Sequence, residues 1–426
     1  MQKKRVTNLT LLFFLGLLLA ALPLAGACAP ASAPAPAPAP APGEPQPIRI
    51  SLSNDLTGPL SSTHRHQFKA EADYIAMLNE NGGIDGHHVE YIWVDSGYNP
   101  TRIMSNWKRI EAYDPVVHFT CGTIENESLK DAFVETETPA FGPAMTMPML
   151  RPEPGWYYVS TGNYVEWIDS VMTWAKDDWA KRGETGRLQF AVIGYKIGAA
   201  MPGFEAGPKI AEELGMDWLG WDFTDFRALD YKAQLDRAEK AGADYVYAFL
   251  QAGDQAVLFK DLAAMGLSDK MKVCSVTTEN IAIDVAKEAA EGTYSLCQTA
   301  WFNDDVPGIK QIIEVQTKNH GSVAEDVMYI WGWSNMHIAA EGIRLALEDL
   351  GDKELDGAAV KAGIHKIENF DCGDIIPPVT MTNANEREAS WSAKIMMVQD
   401  GKYVSASEWI TPTHRGILEG KFVPLP

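Results

Sequence analysis

The sequence has few of the residues that build redox centres, metal sites or nucleic-acid surfaces. It contains five cysteines in 426 residues, and no two of them form a C-x-x-C pair. Acidic residues outnumber Lys and Arg by 57 to 36, which gives a formal net charge of −21 and argues against nucleic acid as a partner. Metalloprotease, phosphate-loop and nucleophile-elbow patterns are missing too, so the sequence indicates neither an enzyme nor a cofactor.

The cysteines beyond residue 28 lie far apart in the chain, at Cys121, Cys274, Cys297 and Cys372. In an exported protein they could form one or two disulfides or remain as buried free thiols, and the spacing leaves both open. Histidines cluster near the predicted first strands. His87 and His88 are adjacent and would point to opposite faces of a strand, which argues against a metal site. His64 and His66 could instead contact a ligand carboxylate.

Only the N-terminus carries a long hydrophobic run. Three basic residues at positions 3–5 precede a mostly apolar stretch at 9–24, and small residues lead into Cys28. This order predicts a lipoprotein-type signal peptide at residues 1–28 with lipid attachment at Cys28. A plain signal peptide cut near Ala27 is the alternative. Residues 29–47 are mainly Ala and Pro, which predicts an extended linker holding an exported domain off the outer face of the cytoplasmic membrane.

Strand and helix patterns alternate through the rest of the chain. The alternation begins at residue 48, breaks at 157–163 and restarts at 188. This rhythm predicts parallel sheets with helices on both faces. We therefore predict an α/β fold of two similar doubly wound lobes, joined by a hinge, with a ligand cleft between them. The predicted segments are residues 48–160 plus about 334–390 for the first lobe, 161–333 for the second, and 391–426 for a C-terminal segment near the hinge.

An ordered set of motifs resembles a known family. The motifs are LTGP at residues 56–59, NENGGIDG at 79–86, YNP at 98–100, AMT at 144–146 and GFEA at 203–206. Together they are similar to the branched-chain amino-acid type of ABC-transporter substrate-binding protein, the type I periplasmic-binding class. The resemblance spans residues 48–412. It implies capture of an amino acid, amide or related carboxylate and delivery to an ABC permease. A ligand-sensing module coupled to signalling is the alternative.

The resemblance also implies the ligand-binding residues of the first lobe. In that family, the loops after the third and fourth strands hold the carboxylate of an amino acid. The corresponding residues are Thr123, Asn126, Ala144, Met145 and Thr146. Glu125 departs from the family pattern. A carboxylate at this position would repel an acidic ligand or attract an amine.

In the second lobe, the resemblance implies that Glu279 receives the ammonium group of the ligand. Many relatives carry a tyrosine where this chain has AAMP at residues 199–202, and Tyr195 is the candidate to replace it. Trp331 and Trp333 precede the last long helix, predicted at 334–350, and Trp333 is the predicted aromatic contact.

Overall fold

The structure is a computed structural model that describes residues 45–143, 147–150, 155–351, 353–382 and 387–414. Cys28 and most of the Ala/Pro-rich linker lie outside these residues. The described residues belong to one compact unit, Pro45–Pro426. Among the helices described, none combines the length and the apolar character needed to cross a membrane.

Five parallel strands form the first sheet, in the order β2-β1-β3-β4-β5. The strands are β1 (Ile48–Asn54), β2 (Val89–Asp95), β3 (Val117–Phe119), β4 (Ala140–Phe141) and β5 (Tyr157–Tyr158). The helices between them are α1 (Ser61–Glu80), α2 (Pro100–Tyr113), α3 (Thr123–Glu135) and the short α4 (Met147–Leu150). A helix between successive parallel strands is the crossover that such pairing requires.

Seven strands form the second sheet, in the order β12-β11-β10-β9-β8-β6-β7. Its parallel strands are β6 (Gln189–Tyr195), β7 (Asp217–Thr224), β8 (Tyr245–Phe249), β9 (Lys272–Ser275) and β10 (Tyr294–Cys297). Two antiparallel strands complete it, β11 (Lys394–Gln399) and β12 (Lys402–Ser405). The accompanying helices are α5 (Tyr164–Lys181), α6 (Met201–Leu214), α7 (Lys232–Ala241), α8 (Ala252–Ala264) and α9 (Asn280–Ala286). The predicted fold class, with two α/β lobes, is confirmed.

Three further helices follow the second sheet's parallel strands. They are α10 (Pro307–His320), α11 (Val327–Leu350) and α12 (Gly357–Ile364), and α11 packs against α1 and α12. The helix predicted at 334–350 thus begins seven residues earlier, where the Asp326 side chain accepts a hydrogen bond from the Met328 N–H at 2.8 Å. An N-cap of this kind stabilises the first turn of a helix.

The end of α1 shows how the family-like NENGGIDG motif acts. Gly82 and Gly83 adopt left-handed φ angles of 96° and 80°, and the Gly83 N–H donates to the carbonyl of Leu78 at 2.8 Å. A side chain on Gly83 would collide with the carbonyl oxygen of His87. Glycine is therefore required where the chain leaves the helix and turns into β2.

The chain passes between the two sheets three times: after β5, after β10, and between α12 and β11. The first and third crossings run side by side, because Val159 pairs with Glu388 in a parallel bridge. The Asn163 side chain donates to Glu388 at 3.0 Å, and the Ser160 N–H donates to the Asn335 side chain of α11 at 3.0 Å. The break in the sequence pattern at 157–163 is the point where the chain leaves the first sheet.

The four cysteines in the described part of the chain are free and buried. Of the two possibilities that the spacing left open, the structure has the buried free thiols.

Asp73 of α1 joins three helices. Its carboxylate, on a side chain that is 8% exposed, accepts hydrogen bonds from Asn319 at 2.8 Å, His320 at 2.7 Å and Tyr329 at 2.6 Å. Replacing Asp73 with alanine should lower the free energy of unfolding by about 3 kcal/mol, because three partners lose their acceptor. Urea denaturation would measure this loss.

Glu80 provides the matched control for Asp73. It pairs with Lys318 at 2.5 Å and so joins the same two helices, α1 and α10, but both side chains are 58% exposed. Glu80→Ala should change the stability by less than about 1 kcal/mol, since exposed ion pairs contribute little. Equal effects of the two substitutions would show that Asp73 does not join the helices as described.

Candidate ligand-binding site

A cavity of about 210 Å³ lies where the carboxyl ends of the strands of both sheets converge. From the first sheet it is lined by Leu60, Thr63, His64, Tyr98, Cys121, Gly122, Thr123, Ile124, Glu127 and Pro143. From the second it is lined by Tyr195, Ile197, Gly198, Phe226, Phe249, Leu250, Gln251, Val276, Thr277 and Glu279. Tyr164, Trp167, Met328 and Trp331 complete it from α5 and α11. Open parallel sheets bind ligands at this end of their strands.

The start of α3 forms one wall of the cavity. Gly122 precedes the helix with a φ of 140°, and Thr123 and Ile124 open the first turn. The Thr123 hydroxyl bonds to Tyr164, whose pKa burial raises to about 12. The N–H groups and the positive dipole end of a helix favour an anionic group. Thr123 therefore lies where the sequence predicted a carboxylate contact.

Glu125 does not line the cavity, so the expectation that it faces the ligand is wrong. Its side chain is only 1% exposed; it accepts the Cys121 N–H at 2.8 Å and lies 3.8 Å from His118. Burial alone would raise its pKa, but these partners reverse the effect and hold the pKa below its usual range. Glu125 thus braces the loop that forms the cavity wall.

Asn126 is also absent from the lining. It is fully buried, and neither its amide oxygen nor its nitrogen has a hydrogen-bond partner among the described residues. Ala144, Met145 and Thr146 lie outside the residues that the structure describes, although Pro143, just before them, lines the cavity. Of the two predicted first-lobe residues that the structure describes, Thr123 lies in the cavity wall and Asn126 does not.

Glu279 brings a carboxylate to the opposite wall. It is 3% exposed; one oxygen accepts from the Thr277 hydroxyl at 2.5 Å, and Oε2 is buried without a hydrogen-bond partner among the described residues. Burial raises the pKa of Glu279 to about 7, against the opposing effect of Thr277. Burial and the charge of Glu279 together raise the pKa of Asp326, its backbone bridge partner, to about 8. A cationic partner would satisfy Oε2.

Tyr195 ends β6 and turns its ring to the cavity. Its hydroxyl donates to Asp254 and accepts the Gln251 N–H at 3.0 Å. The hydroxyl thus already has two partners, and the ring is the part of Tyr195 that faces the cavity wall. Tyr195 is thus one of the predicted residues that line the cavity.

Comparison with known proteins identifies the family. The model of the periplasmic binding proteins matches residues 47–402, most of the chain. The chain belongs to this family. No protein of curated function shows significant sequence similarity to it. The relation predicted from the motifs is therefore confirmed at the level of the family.

Solved structures share the fold of this binding protein. A branched-chain amino acid ABC transporter protein from Thermus thermophilus with bound valine superposes with a TM-score of 0.79 at 23% identity, over 88% of this chain and 99% of its own. A fatty acid ABC transporter substrate-binding protein from Thermomonospora curvata gives 0.76 at 17% identity, over 87% and 94%. A leucine-binding protein from Thermotoga maritima gives 0.70 at 15% identity, over 86% and 99%.

The two tryptophans flanking Gly332 have different positions in the binding protein. Both lie within α11, and two residues along a helix turn a side chain by about 200°. Trp331 lines the cavity, with its ring 5.7 Å from that of Trp167. Trp333, the predicted contact, is fully buried and packs edge-on against Tyr74 at 4.9 Å. The predicted helix started too late, so its register could not separate the two rings.

Several other aromatic residues that line the cavity were not predicted from the sequence. They are Tyr98, Tyr164, Trp167, Phe226 and Phe249. The available signal was position, since each stands at the end of a strand, in the loop after it or in the first turn of a helix. His64 also lines the cavity, and burial lowers its pKa to about 4, so it is a neutral imidazole at neutral pH. His66 is not among the lining residues that the structure describes.

Proposed function

We propose that this binding protein captures a small amino acid, or an amide close to one, with an apolar or aromatic body, and delivers it to an ABC importer. One observation carries the proposal. The N-terminal end of α3 and the carboxylate of Glu279 line the same cavity from opposite lobes. A ligand with an anionic end and a cationic end complements these two walls.

The charges of the lining support a zwitterion over a simple acid. Among the lining residues described, none is Lys or Arg, so a carboxylate has only neutral donors and the helix dipole to bind it. Glu279 and Glu127 are both acidic, and an ammonium group would offset the burial of the Glu279 carboxylate. A ligand with a carboxylate alone would meet two acidic side chains and no cation.

Seven aromatic residues surround the rest of the cavity. They are Tyr98, Tyr164, Trp167, Tyr195, Phe226, Phe249 and Trp331. Such a lining favours a branched aliphatic or aromatic side chain and attracts a cation over the face of a ring. The valine-bound relative supports an amino acid as the ligand, whereas the name of the fatty acid relative points to a longer apolar body.

A thermal-shift panel tests the proposal. Leucine and phenylalanine would be compared with their amides, with the amines that lack the carboxyl group and with the acids that lack the amine. An amino acid at a hundred times its dissociation constant should stabilise the protein by about 2.7 kcal/mol. Equal shifts from the acids without an amine, or no shift from any compound, would contradict the proposed ligand class.

Trp331 and Trp333 provide a prediction for the same panel. Trp331→Phe should weaken the best ligand about tenfold, because the larger indole lines the cavity. Trp333→Phe should leave the affinity unchanged and lower only the melting temperature, because Trp333 packs in the core. Calorimetric titration of both variants measures the difference. An equal loss of affinity would show that the cavity is not the binding site.

We further propose that the mature protein is tethered by a lipid on Cys28 and that the Ala/Pro-rich residues 29–47 act as its stalk. The support is the order of the basic, apolar and small residues before Cys28. After export, the protein should fractionate with membranes, whereas Cys28→Ala should leave it soluble. Membrane association of the Cys28→Ala variant would contradict the anchor.

A further inference from the structure

The loop between β7 and α7, residues 225–231, brings an aromatic ring to the boundary of the cavity. Phe226 lines the cavity and is also 49% exposed. Leu229, three residues on, is 97% exposed. A large apolar ring that contacts both the cavity and the solvent lies at the opening of the cavity.

The Phe226 ring packs against Tyr195, a side chain that is itself held in place. The two rings stack with the centroids 4.0 Å apart and the planes at 22°. Tyr195 is 2% exposed, and its hydroxyl is held by Asp254 and by the Gln251 N–H. The position of the Phe226 ring therefore depends on a side chain that is itself fixed by hydrogen bonds.

Asp254 accepts hydrogen bonds from both Tyr195 and the backbone of the loop. The oxygen that accepts the Tyr195 hydroxyl also accepts the backbone N–H of Arg227 at 3.0 Å. Arg227 has a left-handed φ of 58°, so the backbone next to Phe226 is held in a conformation that non-glycine residues seldom adopt. Asp254 is 6% exposed and lies in the first turn of α8.

A second carboxylate of α8 holds the far end of the same loop. Asp261, seven residues after Asp254 and so on the same face of the helix, accepts the Tyr231 N–H at 2.7 Å. Asp261 does not belong to the cavity lining that the structure describes. The two aspartates thus fasten one loop in the same way, but only Asp254 also holds a residue of the cavity wall.

We propose that Phe226 is the gate of the cavity and that Asp254 is the positioning residue that keeps this gate closed through Tyr195 and the Arg227 backbone. The proposal rests on the proposed function only in taking the cavity as the solute site. In this role, Phe226 controls the exchange of solute between the cavity and the solvent.

The cavity contains a natural reporter, so the test needs no ligand. All four described cysteines are buried free thiols, but Cys121 lines the cavity, whereas Cys274, Cys297 and Cys372 are not among its described lining residues. The full-length protein would be treated with iodoacetamide, and the labelling of each cysteine followed by peptide mass spectrometry. Phe226→Ala should raise the labelling rate of Cys121 several-fold and leave the rates of Cys274, Cys297 and Cys372 unchanged. Phe226→Tyr, which keeps an aromatic ring at this position, should label Cys121 at the wild-type rate.

Matched variants separate gating from general loosening. Leu229→Ala removes the exposed side chain from the same loop and should not change the labelling. Asp254→Ala should accelerate the labelling of Cys121, whereas Asp261→Ala should not. Because both aspartate variants remove a carboxylate that holds the loop, their melting temperatures report the shared structural effect separately.

The outcomes decide the proposal in either direction. Faster labelling of Cys121 alone in Phe226→Ala and Asp254→Ala supports it. Equal labelling of Cys121 in all variants, including no labelling in any, overturns it. Equal acceleration by Asp254→Ala and Asp261→Ala would overturn the role of Asp254. None of these results depends on the ligand panel, so a failed ligand class and a failed gate can be told apart.

Discussion

Replacing Glu279 with glutamine should weaken the binding of an amino acid about a hundredfold. The substitution keeps the shape of the side chain but removes the charge that would pair with the ammonium group, and loss of one partner from a buried charged pair costs roughly 2–5 kcal/mol. Isothermal titration with the best ligand of the thermal-shift panel would measure the change.

The pH dependence of binding should change with the same substitution. Since burial raises the pKa of Glu279 to about 7, its carboxylate is largely protonated in acid and cannot pair with a cation. The affinity of the wild-type protein should fall about tenfold for each pH unit below 7. The affinity of Glu279→Gln should lack this fall.

The stability of the unliganded protein should respond in the opposite sense. A carboxyl group whose pKa is raised on folding contributes stability that is fully present below its unfolded value of 4.5 and is lost as the pH rises through about 7. At pH 8, Glu279→Gln should therefore be at least as stable as the wild type. A loss of affinity at that pH could not be attributed to unfolding.

Glu325 is the matched control for Glu279. It is exposed, accepts a hydrogen bond from Asn280 at 3.0 Å and does not belong to the described lining. Glu325→Gln should leave the affinity unchanged. An equal loss in both variants, or none in Glu279→Gln, would contradict the proposed ammonium site.

Replacing Glu125 with alanine should lower the free energy of unfolding by about 3 kcal/mol or more. The change would leave the Cys121 N–H without its acceptor in the protein interior, and it would remove the carboxylate next to His118. Breaking a buried pair by removing one partner has costs of this size. Chemical denaturation at neutral pH would measure the loss.

The stability that Glu125 contributes has the pH dependence of a depressed acid. With its pKa held below the usual range, this stability is present above the unfolded value of 4.5 and is lost as the pH falls through the folded value. The exposed Glu135, at the other end of α3, is the control, and Glu135→Ala should change the stability by less than about 0.5 kcal/mol. Similar effects of the two substitutions would contradict the bracing role of Glu125.

The sequence was sufficient for the fold because local signals and architecture agree. The strand–helix alternation, the exit of α1 at Gly82 and Gly83, and the break before α5 all reflect short-range chemistry that a single sequence displays. Thr123, Tyr195 and Glu279 are far apart in the chain and were predicted through the resemblance to the binding-protein family. They line one cavity because loops after parallel strands converge in space.

The sequence could not show in which direction a side chain points near the start of a helix. Thr123 and Glu125 are two positions apart, and only the bounds of α3 show that one lines the cavity and the other faces the interior. Trp331 and Trp333 pose the same problem in α11. Phe226 is held at the cavity by its neighbour Arg227, whose backbone N–H donates to Asp254, 27 positions away, and no local sequence pattern indicates that contact.

The route of the chain has a consequence for the order of folding during export. The second sheet is completed by β11 and β12, at residues 394–405, and the first lobe depends on α11, which starts at residue 327 and packs on α1. Neither lobe can therefore reach its native structure from a continuous N-terminal fragment. A chain emerging across a membrane must deliver nearly its whole length before either half is complete. The long-range contacts that join the two halves thus favour folding after translocation rather than during it.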